Sequence, residues 1–382
     1  MENIVFYIAI FLLIAECIVV ITCIIIPLHL SKKNILILFN AIIISFASFA
    51  FFAEPGWSTD LASHYESING LRSGYLVNQG DEVLLIWRAI LKFVSMTQNN
   101  GWLPFVCIIL WGGFISRILK KYLYNCIEYK TRNIMLYFIV LFSGCSIYYL
   151  LSGIRCALVC SIIAYAYYIL RNEKRITYYL FVIVACMIHI FGGLLFILIE
   201  IYERYIKGKN ANNLYKVLGL LFLIAGITCS PWGVSILKGV SIPYINLIVI
   251  KWEGYMEYSR TEGSVENQLR FIWLLFFVIM GIWTIIKNRG RISFFYWIVF
   301  ATLALSPLNI FFERMSYFVG ICAVGMVNET YFRINRNGKI IYTIVLFSVS
   351  AIFLFYMLYT MFAHVQFAGH SYHAFWKQLI EF

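Results

Sequence analysis

The chain has 382 residues, 62% of them hydrophobic and 13% charged, with a mean hydropathy of +0.83. A soluble domain is about half apolar and roughly 25% charged, so a soluble globular enzyme is excluded for want of polar surface, and disorder for want of charge. The formal charge of +12 comes from 30 Lys and Arg against 18 Asp and Glu; its cations lie in short clusters between apolar runs, the pattern of positive-inside loops and not of a nucleic-acid surface.

Apolar spans are expected at 4–27, 34–52, 101–118, 134–151, 154–170, 214–229, 269–286, 292–310, 312–330 and 340–363. The first run has no cleavage-type end and reads as a signal anchor. The fold class is therefore all-α, a polytopic integral membrane protein with about 10–12 transmembrane helices, and residues 1–382 form a single polytopic membrane domain. Basic clusters follow the runs: Lys32 and Lys33; Arg117, Lys120, Lys121, Lys130 and Arg132; Arg171, Lys174 and Arg175; Arg204, Lys207, Lys209 and Lys216; Lys287, Arg289 and Arg291; Arg333, Arg336 and Lys339. Placing all of them in the cytoplasm is consistent if two segments are special. Segment 82–96 is short, carries Arg88 and Lys92, and reads as an interfacial or re-entrant amphipathic helix. Segment 176–206 has basic clusters at both ends and, at about 1.5 Å per residue, is too long for one untilted span. A break at His189-Ile190-Phe191-Gly192-Gly193 would divide it into two short helices that enter and return.

Both termini then lie outside, with outer loops at about 53–81 and 230–268. The remaining cations fall on the outer side, against the positive-inside bias: Arg72, Arg88, Lys92, Arg155, Lys238, Lys251, Arg260, Arg270, Arg314 and Lys377. The ten cysteines lie mostly within apolar runs, so no disulfide framework is expected. Cys156 and Cys160 share a helical face without a third ligand nearby, and no metal site and no cofactor are expected.

Arg155 opens an apolar helix just after Ser152 and Gly153. A guanidinium fork grips phosphate at two points, and a helix N-terminus adds donors and a favourable dipole; the alternative is snorkelling to the interface. Arg314, after Glu313, repeats that logic. His189 lies inside the broken segment, where an intramembrane histidine is a functional candidate suited to proton transfer; the alternative is a structural residue satisfying the broken backbone. Asp60 and Tyr65 lie in the first outer loop, where a carboxylate can accept sugar hydroxyls or a proton and an aromatic can stack on a sugar; a solvated loop carboxylate is the alternative. Arg260 and Arg270 flank an acidic stretch, and a salt-bridged structural role is expected for at least one. Glu16, mid-span, reads as a pairing residue. His364, His370 and His373 read as an interfacial tail before a metal tract. No Walker motif and no His-Glu-x-x-His occur, which argues against ATP use and a zinc protease.

At these positions the chain resembles the EpsG family and the wider group of Wzy-type polysaccharide polymerases. The resemblance runs over about 55–330: Asp60-x4-Tyr65, Glu82-Val83-Leu84-Leu85, Gly153-Ile154-Arg155-Cys156-Ala157-Leu158, the basic turn from Arg171 to Arg175, Met187-Ile188-His189, and Arg314-Met315-Ser316-Tyr317. Cys156 departs from the Gln that often follows the arginine. The resemblance implies polymerisation of undecaprenyl-diphosphate-linked oligosaccharide repeat units outside a bacterial inner membrane, by metal-independent inverting glycosyl transfer. It implies Arg155 and Arg314 on the diphosphate, His189 or Asp60 as the base, and Arg270, Arg260, Tyr65, Glu82 and Tyr317 as further substrate contacts. The implied partners are the lipid-linked glycans and membrane lipid, with room for a chain-length regulator protein and none for nucleic acid. A membrane O-acyltransferase acting on glycans and a lipid-linked glycan flippase are the rival readings.

Overall fold

The structure is a computed structural model describing residues 2–26, 28–56, 60–75, 84–126, 129–145, 147–209, 211–228, 265–287, 291–306, 309–329 and 336–367. Glu82, Arg260, His370, His373 and most of the second outer loop lie outside the described residues.

The chain begins with α1 (Glu2–Ile25), α2 (Lys32–Ala50), β1 (Ala53–Pro55), α3 (Asp60–Arg72), α4 (Leu85–Ser95) and α5 (Trp102–Asn125). It continues through α6 (Thr131–Gly144), α7 (Ile147–Ser152), α8 (Ile154–Tyr165), α9 (Arg175–Ile188), α10 (Phe191–Ile201) and α11 (Ala211–Thr228). The last elements are α12 (Val265–Lys287), α13 (Phe294–Ala304), α14 (Asn309–Glu329), α15 (Arg336–His364) and β2 (Val365–Phe367). Helices α8 and α10 each end in a π-helical turn, Ala166–Leu170 and Tyr202–Ile206. Five helices are long and apolar enough to cross a membrane, namely α1, α2, α5, α12 and α15. Shorter apolar helices include α6, α8, α9, α11 and α13. The protein is thus an all-α polytopic membrane protein, as its hydropathy predicts.

Three elements refine the sequence reading. The first outer loop contains a helix, α3, because Leu61, His64 and Ile68 recur at helical spacing and are buried, with Asp60 at the positive end of the helix dipole. The run 134–151 is two helices, α6 and α7, separated after Cys145. Within segment 82–96, Leu85–Ser95 forms α4, an 11-residue helix that buries Trp87, Leu91 and Val94 on one face; at about 1.5 Å per residue it is too short to span.

The chain divides into two compact units, Met1–Gly192 with Leu354–Phe382, and Gly193–Phe353. In the first unit, α5 packs on α2 and α8, and α1 packs on α2 and α6. Ile4, Ile8, Phe11, Ile14 and Ile18 of α1 face outward, an apolar face suited to lipid. One end of this unit is made by the antiparallel ribbon β1–β2, which pairs Ala53 with Phe367 and Pro55 with Val365. A ribbon this short does not hold itself. Phe367 stacks on Phe49 at 4.1 Å between ring centroids, and Phe6 and Phe362 close around them; such pairs contribute about 0.5–1.5 kcal/mol each. The N-terminus of α5 belongs to the same end: a Cβ on Gly101 would collide with the Phe51 carbonyl, and Trp102 and Phe105 pack edge-on against the Phe51 ring.

The opposite end of the unit gathers three basic clusters. Lys32 Nζ donates to the Cys126 carbonyl at 3.1 Å, and the Tyr129 hydroxyl donates to the Leu30 carbonyl at 2.9 Å. Lys121 Nζ donates to the Tyr168 carbonyl at 3.2 Å and to Glu173 Oε1 at 2.7 Å, which holds the exposed Glu173 carboxyl below its ordinary range.

The second unit repeats the arrangement. The Tyr202 hydroxyl donates to the Ile292 carbonyl at 3.2 Å, Asn213 Nδ2 to the Tyr205 carbonyl at 3.4 Å, and Trp297 Nε1 to the Leu198 carbonyl at 2.9 Å. These bonds bring the cluster after α10 and the cluster after α12 to one end. The N-terminal ends of α12 and α14 lie at the other.

Candidate functional site

Of the arginines singled out by sequence, Arg155, Arg270 and Arg314 lie away from the basic clusters of their own units. In the first unit, α5 and α8 run in the same direction, since the end of α8 meets Lys121 near the end of α5. Arg155, the second residue of α8, is therefore at the ribbon end. Its guanidinium lies over the Trp87 ring at 5.5 Å from the centroid. Trp87 is 0% exposed, and its indole N–H has no hydrogen-bond partner among the described residues. The buried His64 ring also meets Trp87, edge-on and 5.0 Å away. A cation–π contact contributes about 0.5–2 kcal/mol, more when desolvated. Its effect here is to hold the fork of a half-buried arginine in one orientation beside the start of α8, where backbone N–H groups and the dipole favour an anion.

Sequence reasoning found Arg155 and passed over Trp87 and His64. His64 lies one helical turn after Asp60, and Trp87 leads the apolar face of α4; both spacings are visible in the sequence. That His64 packs on Trp87 and Trp87 on Arg155 is a tertiary fact. Asp60 is exposed at the start of α3. Tyr65 has a structural bond: its hydroxyl donates to the Ala53 carbonyl at 3.1 Å, tying α3 to β1. Burial, then the neighbouring Glu54 charge, pushes the Tyr65 hydroxyl well above its ordinary pKa, so it remains a donor. Arg72 bridges α3 to the end of α4 through the Ser95 and Thr97 carbonyls.

His189 is 4% exposed and takes extended backbone angles between α9 and α10, the helix break that the sequence predicts. The Phe191 backbone N–H donates to His189 Nδ1 at 3.0 Å, capping the start of α10. An N–H can only donate, so Nδ1 is the acceptor and a neutral His189 carries its proton on Nε2. Gly192 is required at the same break: a Cβ there would come within 3.0 Å of the Ala185 carbonyl carbon and 3.1 Å of the Cys186 nitrogen.

In the second unit the charged group is more self-contained. Arg270 is 1% exposed; it pairs with Glu266 one turn back and donates to Asn267 Oδ1 at 2.6 Å. Part-buried Glu313 faces the charges of Arg270, Glu266 and Arg314. The Tyr317 hydroxyl donates to Glu313 Oε1 at 3.0 Å, and Ser316 Oγ donates to the Glu313 carbonyl at 2.6 Å. Arg314 is half-buried beside this group. Sequence reasoning assigned no role to Glu313, although it precedes Arg314 directly, nor to Glu266 or Asn267.

The EpsG family model matches residues 36–371, most of the chain. The chain belongs to the EpsG family. EpsG proteins are associated with Wzy-type polymerases, so this member has a polysaccharide-polymerase-like role. No curated protein matches the chain, and no solved structure does. In this EpsG protein Arg155 is the arginine of the first unit that lies over a buried tryptophan at a helix start.

Proposed function

We propose that this EpsG protein joins undecaprenyl-diphosphate-linked oligosaccharide repeat units into a surface polysaccharide, at the outer face of a bacterial cell membrane, by metal-independent inverting glycosyl transfer. The observation that carries the reading is Arg155, half-buried at a helix N-terminus, backed by Trp87, and at the end of its unit away from three basic clusters. Under the positive-inside bias those clusters are cytoplasmic, so Arg155 and the Arg314 cluster face outward. Arg155 and, in its own unit, Arg314 are each assigned to lipid diphosphate, where a guanidinium stabilises the charge that the leaving group gains. Asp60 accepts sugar hydroxyls at the exposed start of α3, and His189 holds the helix break through its Nδ1.

Purified protein given the lipid-linked repeat unit should produce a ladder of polymer lengths. Absence of a ladder, with the substrate unchanged, overturns the polymerase reading. Because arginine supplies the charge that a divalent cation otherwise would, the ladder should persist in excess chelator. Its complete loss, with rescue by magnesium or manganese, would assign Asp60 and its neighbours to a metal instead.

Orientation has its own test. A single cysteine at position 60, in a cysteine-free background, should react with an impermeant thiol reagent from outside. One at position 209 should react only after the membrane is opened. Labelling of position 209 from outside overturns the topology.

A further inference from the structure

The cluster in the second unit poses a charge problem. Among the described residues it holds two cations, Arg270 and Arg314, and two carboxylates, Glu266 and Glu313. With both carboxyls ionised its net charge is zero, and a neutral cluster attracts a diphosphate weakly. The two acids are not equivalent. Glu266 is bound directly to Arg270 on the same helix. Glu313 has no such ion pair among the described residues; its carboxylate accepts from the Tyr317 hydroxyl and feels both arginines. A proton taken up at Glu313 would leave the cluster with one unit of positive charge.

Transfer of a glycan needs a group to take the acceptor's proton, and the other candidates are poorly arranged for it. His189 has Nδ1 committed to the Phe191 N–H. Asp60 is an exposed carboxylate at the start of α3. We infer that Glu313 is the general base of the transfer, and that its neutralisation releases the charge of Arg314 and Arg270 onto the departing diphosphate. This rests on the polymerase reading above.

In the step, the acceptor hydroxyl oxygen attacks the anomeric carbon of the donor glycan. The bond from that carbon to the diphosphate oxygen breaks, and its electron pair leaves with the diphosphate. The hydroxyl proton passes to Glu313 and from there to water. Positive charge thus appears beside the leaving group as negative charge develops on it, the condition for stabilising a transition state over a ground state. The groups facing Glu313 are Glu266 and Arg270 from α12, and Arg314 and Tyr317 from its own helix. Helix α13, also packed on α14, carries no charged side chain.

The test separates a base from a structural carboxylate. Glu313→Gln keeps an oxygen for Tyr317 and removes the charge. It should lower kcat by about 100-fold or more, while binding of undecaprenyl diphosphate tightens by about tenfold because the cluster becomes cationic. Glu313→Asp should retain partial turnover. Thermal unfolding midpoints in detergent should match the wild type for both variants. A merely structural Glu313 would instead give weaker binding together with lower stability. If the wild type makes a ladder and Glu313→Gln does so at a similar rate, or loses donor binding with turnover, the inference is overturned and the polymerase reading stands. If the wild type makes no ladder, both are overturned.

Discussion

Arg155→Ala should yield a folded, membrane-inserted protein that makes only single repeat units. The arginine is half-buried, and its loss gives up the contact with Trp87, about 0.5–2 kcal/mol, so insertion should be near normal and stability only modestly lower. What is lost is a guanidinium held against the buried Trp87 ring at the start of α8. Removing one fixed donor to a developing negative charge costs about 100–1,000-fold in rate. Arg155→Lys keeps the charge and loses the planar fork and its stacking, so it should not restore full activity. Trp87→Phe should be intermediate, since an aromatic face remains. Polymer length on a gel is the measurement, with membrane abundance as the control. A normal ladder from Arg155→Ala would remove Arg155 from the site.

His189→Ala should destabilise the protein while His189→Asn is tolerated. The Phe191 N–H is buried and has the imidazole Nδ1 as its acceptor. Removing a cap costs about 0.5–2 kcal/mol, and stranding a buried donor costs about 1–3 kcal/mol. Asparagine presents a side-chain oxygen to the same N–H, so the cap survives without an imidazole. Thermal unfolding in detergent should show a clear drop for alanine and a small one for asparagine, with the ladder kept by asparagine. Loss of the ladder in a thermally normal His189→Asn would make His189 the base and leave Glu313 a structural carboxylate. Sequence alone leaves His189 and Asp60 as rivals for that role, because neither residue's hydrogen bonds can be read from the chain.

Part of this protein is legible in its amino-acid sequence. Composition and the alternation of apolar runs with basic clusters decide the membrane class and most helix positions, because partition into lipid depends on local composition. The break at His189 is legible for a similar reason: two basic flanks cannot share one side after a single crossing. The short amphipathic α4 follows from its length and its two cations. The tertiary structure alone decides what the functional residues touch. Trp87 meets Arg155, and His64 meets Trp87, through the packing of α3 on α4, elements far from α8 in sequence. Arg270 and Glu313 belong to different helices, and only the packing of α12 against α14 makes them neighbours. The Glu266–Arg270 pair, one turn apart, is readable from spacing, but the complete burial of Arg270 is not. Side-chain chemistry at a membrane site is set by a handful of contacts between helices, and hydropathy, being a sum over one helix, carries no information about them.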